Sequence, residues 1–174
     1  PMLKEVGCTH VIIGHSERRH IFGETDELVM KKIKAVKDSG MVPILCVGEL
    51  LEEREGNRTL AVLERQIRAV LPQMAPEDVR DHFVVAYEPV WAIGTGKVAS
   101  EDDAQEACRF IRELAATCCG AEAAEALRIL YGGSVKPENA AGLVAQQDVD
   151  GFLVGGASIK VASLMGIVAA SVKK

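Results

Sequence analysis

The sequence has no surplus of positive charge. Its 174 residues contain 20 Lys and Arg against 25 Asp and Glu, a formal net charge of −5. A negative balance is unfavourable for proteins that bind the phosphate backbone of nucleic acids or an anionic membrane surface, so we expect neither partner. It still permits a small phosphate site that is built from backbone amides.

Patterns of cysteine and histidine that bind metals or form disulfides are also absent. The cysteines are odd in number, lack Cys-x-x-Cys spacing and include an adjacent pair: Cys8, Cys46, Cys108, Cys118 and Cys119. The four histidines show no paired spacing, so we expect no metal ion. No secretory signal is evident, because Lys4 and Glu5 interrupt any apolar run at the start. We therefore expect reduced thiols and a cytoplasmic protein.

No segment has the character of a membrane span. Residues 151–172 carry one charged side chain, Lys160, which would lie near the middle of such a helix at a cost of about 2.5–3.5 kcal/mol. Because the segment is rich in Gly and Ser, a buried strand followed by a buried helix explains it better. There is no linker or low-complexity tract either, so we predict a single domain over residues 1–174.

What the chain does contain is an alternation of short apolar runs with longer helical patterns. The nearly continuous apolar runs are typical of buried parallel strands, and they lie at residues 10–13, 42–47, 83–87, 128–131 and 151–154. The helical patterns are clearest at residues 26–39, 59–71, 100–119 and 137–145. This alternation predicts βαβ units, and hence an α/β domain with about five parallel strands.

Each predicted strand is followed by polar residues or glycines. In parallel α/β folds the carboxyl ends of the strands share one edge, where ligands bind. Gly132-Gly133-Ser134 and Gly155-Gly156-Ala157-Ser158 lie at two of these ends and offer free backbone N–H groups without side-chain bulk. This composition suits a phosphate group, although a glycine pair alone also fits an ordinary tight turn.

Two strand ends carry residues that could perform acid–base chemistry. Glu88 directly follows an apolar strand, where burial could raise its basicity; the alternative is an ion-pair partner that ends the strand. His15 ends the first strand, and residues 16–19 could begin a helical turn whose positive end disfavours an imidazolium ion. The alternative for His15 is a purely structural histidine.

The segment after Glu88 has the composition of a lid. It combines an apolar tip and two glycines with stiffer flanks, so it could close over a small substrate. Trp91, the single tryptophan, fits either a hinge or the core. The predicted lid comprises Pro89, Val90, Trp91, Ala92, Ile93, Gly94, Thr95, Gly96, Lys97, Val98 and Ala99.

Four ordered segments together resemble the triosephosphate isomerase family. They are VIIGHSERR at residues 11–19, AYEPVWAIGTG at 86–96, YGGSV at 131–135 and GGA at 155–157. The resemblance runs essentially from end to end. It implies a TIM (β/α) barrel, in which eight strands normally occupy roughly 250 residues. It also implies that this chain corresponds to the five C-terminal βα units, with the three N-terminal ones missing, so the barrel is truncated and has open edges.

The resemblance implies a role for each matching residue. Glu88 is the base that removes a carbon-bound proton, and His15 is the neutral electrophile, an arrangement for which this family is itself the usual example. Glu17 matches a supporting carboxylate, and Tyr131 and Ser134 match residues that hold the closed lid. The amides that bind phosphate match Gly94, Ser134, Gly155 and Gly156. The implied reaction interconverts dihydroxyacetone phosphate and glyceraldehyde 3-phosphate without a metal or organic cofactor.

One part of the family's site has no counterpart in this sequence. The family's first unit carries a strand-end Asn-x-Lys, and no segment before His15 supplies that lysine. The loss of one preorganised donor typically costs about 2.7–4 kcal/mol, so we expect weak or no activity from the isolated chain. The alternative is a non-catalytic, self-assembling barrel remnant with a residual phosphate-binding pocket. Another phosphosugar enzyme fits less well, because the lid and His15 motifs are so particular.

The predicted sheet also has a consequence for assembly. Five parallel strands leave two unpaired edges and an exposed apolar face. The loop that forms the usual dimer of the family belongs to its third unit and has no counterpart in the sequence. We therefore expect a homo-oligomer with an interface unlike the usual family dimer.

Overall fold

The computed structural model describes residues 2–95 and 97–172. The described residues form one parallel sheet of five strands, in the order β1-β2-β3-β4-β5. The strands are β1 (His10–Ile13), β2 (Val42–Val47), β3 (Val84–Tyr87), β4 (Arg128–Tyr131) and β5 (Gly151–Phe152). Each neighbour in space is also the next strand in sequence, as βαβ units require. The predicted α/β class with five parallel strands is confirmed.

Helices connect the strands. They are α1 (Met2–Glu5), α2 (Ser16–His20), α3 (Asp26–Asp38), α4 (Leu51–Glu55), α5 (Thr59–Arg68), α6 (Pro76–His82), α7 (Glu101–Cys119), α8 (Ala121–Ala126), α9 (Pro137–Val144) and α10 (Val161–Ser171). Single 3₁₀ turns lie at Leu71–Gln73, Val90–Ala92 and Gly156–Ile159.

Helix ends follow local chemistry that the sequence displays. Ser100 caps α7 by accepting a hydrogen bond from the N–H of Asp103, whose carboxylate accepts one in return from the Ser100 N–H. Gly40 follows α3 and Gly120 follows α7, both with positive φ, the conformation that glycine adopts without strain. The helix predicted at 59–71 ends earlier, at Arg68, because Pro72 lies in the 3₁₀ turn that follows.

One face of the sheet packs against the helices and forms the core. Alternate strand residues contribute to it, since successive side chains of a strand point to opposite faces. The strand members are Ile13, Leu45, Val47, Val85, Tyr87, Ile129 and Tyr131. Helical members include Ile33, Leu63, Ile67, Ile111, Ala115 and Leu143. The core thus joins all the βα units behind the sheet.

The expectation that every strand is buried on both faces is correct only for the middle of the sheet. All four residues of β3 are buried, whereas Ile12 in β1 is 49% exposed. Among the described strands β1 and β5 each pair with one neighbour only, so the sheet does not close on itself. The face opposite the helices is therefore open beside the outer strands.

No helix within the described ranges combines the length and apolarity that crossing a bilayer requires.

Candidate active site

The strand register brings the polar strand ends to one edge. Val47 lies opposite Tyr87, Tyr87 opposite Tyr131, and Tyr131 opposite Phe152. The residues that come next in the chain therefore meet, although they are far apart in sequence. A cavity of about 630 Å³ opens at this edge, and its lining includes His15, Glu88, Gly133, Ser134 and Gly155.

Glu88 lies at the buried end of this cavity, with 2% of its surface exposed. Its Oε2 accepts a hydrogen bond from the Ser16 N–H at 3.0 Å, and its Oε1 lies 3.1 Å from His15 Nε2. Burial raises the pKa of this carboxyl group, while His15 and the Ser16 N–H oppose the shift. A carboxylate stripped of water in this way is a stronger base than one in solution.

His15 is the N-cap of α2, in the turn that follows β1. Its Nδ1 accepts a hydrogen bond from the Glu17 N–H at 3.4 Å. A nitrogen that accepts from an N–H carries no proton, so the proton of a neutral ring resides on Nε2. That Nε2–H points at Glu88, and it can donate to any oxygen that takes the place of the carboxylate.

Glu17 contacts the site through its backbone N–H. Its N–H orients His15, but its side chain is exposed and does not line the cavity. The predicted supporting carboxylate is therefore not brought to the other site residues within the described structure.

The predicted phosphate-binding residues lie together. Gly94, Ser134, Gly155 and Gly156 all line the same cavity as His15 and Glu88. A Cβ added at Gly155 or Gly156 would meet no atom within 4 Å, so the backbone there is accessible to a ligand. Lys136 and Lys160 line this part of the cavity as well, and their charges favour an anion.

The segment predicted as a lid contains both ordered and exposed parts. Val90–Ala92 forms a 3₁₀ turn, and Ala92 and Ala99 are buried. Between them Gly94 adopts φ of +69°, and the Thr95 hydroxyl donates to the Trp91 carbonyl at 2.7 Å. Ile93 and Gly94 face the cavity, whereas the residues from Thr95 to Val98 that the structure describes are exposed. Gly96 lies outside the described residues.

Tyr131 lies beneath the far end of this segment. Its side chain is fully buried, and burial raises the pKa of its phenol to about 12. Its hydroxyl has no partner with full hydrogen-bond geometry among the described residues, although the Ala99 backbone lies close enough to lower that pKa. A Cβ on Gly133 would lie 2.2 Å from this hydroxyl, so Tyr131 requires a glycine at that position.

Glu49 is a further buried carboxylate that the sequence did not single out. It follows β2 and is fully buried beneath Trp91, whose Nε1–H donates to its Oε1 at 2.8 Å. The Tyr87 hydroxyl lies 3.2 Å from both of its oxygens. Trp91 is thus tied to the β2 end by this hydrogen bond, and it also packs against the core at the start of the predicted lid. The only sequence signal was the polar strand end Gly48-Glu49, which resembles several others.

Comparison with known proteins gives a consistent answer. The family model described as triosephosphate isomerase matches residues 1–171. The chain belongs to the triosephosphate isomerase family. Proteins named triosephosphate isomerase from Geotalea uraniireducens and Magnetococcus marinus are 57% and 56% identical over 167 residues, covering 96% and 95% of this chain. The one from Carboxydothermus hydrogenoformans is 56% identical over 171 residues and covers 98% of this chain.

The match covers nearly all of this chain but only part of each relative. The chain spans 66% of the length of the first two triosephosphate isomerases and 68% of the third. A closed TIM barrel has eight strands, and five are present in the described structure. The open five-stranded sheet is therefore an incomplete barrel of the triosephosphate isomerase fold.

Proposed function

We propose that this chain carries the base, the proton-donating histidine and the phosphate-binding loops for interconverting dihydroxyacetone phosphate and glyceraldehyde 3-phosphate. The observation that carries the proposal is the meeting of Glu88 and His15 in one cavity with two glycine-rich strand ends. Family membership supports the same reaction.

In this proposal the shape of the cavity sets the orientation of the substrate. A phosphate group that binds the backbone amides at 133–134 and 155–156 directs the three-carbon chain toward His15 and Glu88. The substrate oxygens then replace the Glu88 carboxylate as acceptors for the His15 Nε2–H, which frees Glu88 to approach carbon.

The chemistry follows from the two side chains. Glu88 takes a proton from the carbon beside the carbonyl, and the electron pair of that C–H bond forms the enediolate double bond. His15 Nε2–H donates to the oxygen that gains charge, and protons then move between the two oxygens. Glu88 returns its proton to the neighbouring carbon, so the reaction has no net consumption of acid, base or oxidant.

The lack of a cation beside His15 among the described cavity-lining residues limits the isomerisation rate that we expect. Lys136 and Lys160 line the phosphate end, and no lysine or arginine among the described cavity-lining residues lies beside His15. A preorganised donor at a developing oxyanion is typically worth about 2.7–4 kcal/mol. We therefore propose that the 174 residues by themselves catalyse full isomerisation weakly or not at all.

The first step, exchange of the carbon-bound proton with solvent, provides the test. This step needs the base but not complete turnover. The chain, freed of host isomerase, is incubated with dihydroxyacetone phosphate in D₂O, and deuterium at the reactive carbon is followed by NMR. We expect Glu88→Gln to slow exchange by about 10²-fold or more, the usual contribution of a general base. Glu138→Gln, which alters another cavity-lining carboxylate, is the matched control. Equal exchange by the wild type and Glu88→Gln would overturn the proposal.

A self-assembling, non-catalytic role remains the second candidate, and the open sheet favours it. Large apolar side chains are exposed on the outer strand β1 and on the 3₁₀ turn and helix α10 that follow β5 in the chain, among them Ile12, Ile159, Val161, Met165 and Val168. Burial of that surface between copies would be favourable, so we propose a homo-oligomer whose interface covers it. Absence of both deuterium exchange and phosphate binding would favour this role.

A further inference from the structure

The two ends of the lid are anchored to different elements. The lid, residues 89–99, starts after β3 and runs directly into Ser100, the N-cap of α7. A loop that closes over a substrate moves about its ends, so the groups that fix those ends govern the motion.

Arg54 contacts the starting end. It lies on α4, outside the lid, and its guanidinium carbon is 5.0 Å from the centre of the Trp91 ring. Its Nη1 is 3.7 Å from Glu49 Oε1, the same atom that accepts the Trp91 Nε1–H. The indole of Trp91 is therefore held both at its edge and on its face.

The same guanidinium also contacts the finishing end. Arg54 Nη2 donates to Asp103 Oδ1 in the first turn of α7. Asp103 in turn holds Ser100, since its Oδ2 accepts the Ser100 N–H at 2.9 Å and its own N–H donates to Ser100 Oγ at 3.1 Å. One planar side chain thus joins the anchors on both sides of the lid.

We propose that Arg54 is a positioning residue that couples the two ends of the lid, through Trp91 and Glu49 at one end and Asp103 at the other. The proposal concerns how the proposed isomerase site closes, and so rests on the proposed function. It does not depend on the chemistry at Glu88. A side chain that only neutralised Glu49 would not need to reach Asp103, whereas the forked guanidinium satisfies both carboxylates and the indole at once.

The single tryptophan allows a direct test. Fluorescence of Trp91 and its quenching by acrylamide are measured in the wild type, Arg54→Met, Arg54→Lys and Asp103→Asn. We expect the quenching constant to rise about twofold in Arg54→Met, because the cation no longer covers the ring. Arg54→Lys should give an intermediate value, since an ammonium group cannot stack on the ring and bridge two carboxylates at the same time.

Asp103→Asn distinguishes coupling from a local effect. No hydrogen bond or ion pair joins Asp103 to Trp91 among the described residues, and Arg54 contacts both. Asparagine keeps an amide oxygen that can accept the Ser100 N–H, so the variant weakens the Arg54 contact while the helix cap is retained, and a change at Trp91 then passes through Arg54. Arg80→Met is the control, because Arg80 pairs with Asp81 and Glu122 at the surface away from the lid.

Unchanged quenching in Asp103→Asn, with circular dichroism like the wild type, would overturn the proposal. So would wild-type quenching in Arg54→Lys. If Arg54→Met does not fold, Arg54→Lys and Asp103→Asn still decide between the outcomes. Fluorescence needs no turnover, so these results are independent of the deuterium exchange that tests Glu88.

Discussion

At the scale of single residues, the site contains two buried carboxylates that do different work. Glu88 faces His15 and a cavity that a substrate can enter, whereas Glu49 faces Tyr87 and Trp91 and is closed off from solvent. Burial raises the pKa of both groups. The difference in their surroundings leaves Glu88 facing the cavity, available for the proposed proton transfer, and commits Glu49 to holding Trp91 and Tyr87.

The buried Glu49 predicts a dependence of stability on pH. Burial raises its folded pKa, and hydrogen bonds from Trp91 and Tyr87 and the charge of Arg54 oppose this only in part. Above the unfolded value of 4.5 the folded state therefore binds more protons than the unfolded state, and stability falls as pH rises through the folded pKa. We expect the stability of Glu49→Gln, relative to wild type, to improve from pH 4 to pH 7.

Urea unfolding at these pH values measures the difference. Glu52→Gln, an exposed carboxylate on α4, serves as the control and should show no such trend. A Glu49→Gln variant whose relative stability is flat or declines with pH would contradict the assignment of Glu49 as a group whose ionised form is disfavoured by burial.

At the scale of secondary-structure elements, the ends of β2 and β3 approach so closely that only glycine fits between them. A Cβ on Gly48 would lie 1.7 Å from the Glu88 carbonyl oxygen, a backbone atom that cannot rotate away. The Gly48 N–H also donates to the buried Gln66 side chain at 2.8 Å. The position of Glu88 therefore depends on a glycine that belongs to the preceding βα unit.

Replacement of this glycine tests the close approach. We expect Gly48→Ala to lower the free energy of unfolding by about 3 kcal/mol, since the two strand ends must separate. Gly156→Ala should change it by less than about 0.5 kcal/mol, because its Cβ would meet nothing within 4 Å. Urea denaturation of both variants checks this, and similar stabilities would show that the strand ends move apart easily.

At the scale of the whole molecule, the open sheet leaves apolar surface exposed to solvent. Ile159 ends the 3₁₀ turn that follows β5, and Val161 starts α10; they are 83% and 79% exposed, and Ile12 is half exposed on β1. The described helices cover one face of the sheet only. The two outer strands, and the part of the open face beside them, are thus available to another polypeptide, whereas β3 in the middle of the sheet is already buried.

The proposed self-association can be measured directly. We expect sedimentation equilibrium at micromolar concentration to show species larger than the monomer. Val161→Glu should weaken association by about tenfold, or ~1.4 kcal/mol, since it places a charge on that apolar surface. Gln73→Glu adds the same charge at an exposed site elsewhere and should have no effect. A stable, well-folded monomer at all concentrations would contradict the proposal.

Much of the fold was predictable because local patterns agree with it. The strands at 10–13, 42–47 and 128–131 have the predicted limits, and β3 starts one residue later than expected. The apolar runs and helix caps act over a few residues, so they can be read without the tertiary structure. The helix predicted to 71 ended early, because Pro72 permitted only a separate turn. The predicted gathering of the strand ends followed from parallel topology alone.

The sequence by itself determined the family and the parallel α/β architecture, and it pointed to several residues that line the cavity, among them His15, Glu88 and Ser134, since these rest on short motifs and local periodicity. Only the tertiary structure decided which partner each side chain has. Glu49 and Glu88 both follow apolar strands, and nothing local indicates that one meets Trp91 and the other His15. Arg54 bridges two ends of a loop from a helix outside it, and Glu17 contacts His15 through its backbone N–H. Such contacts join residues distant in the chain, so they exist only once the sheet has set its register.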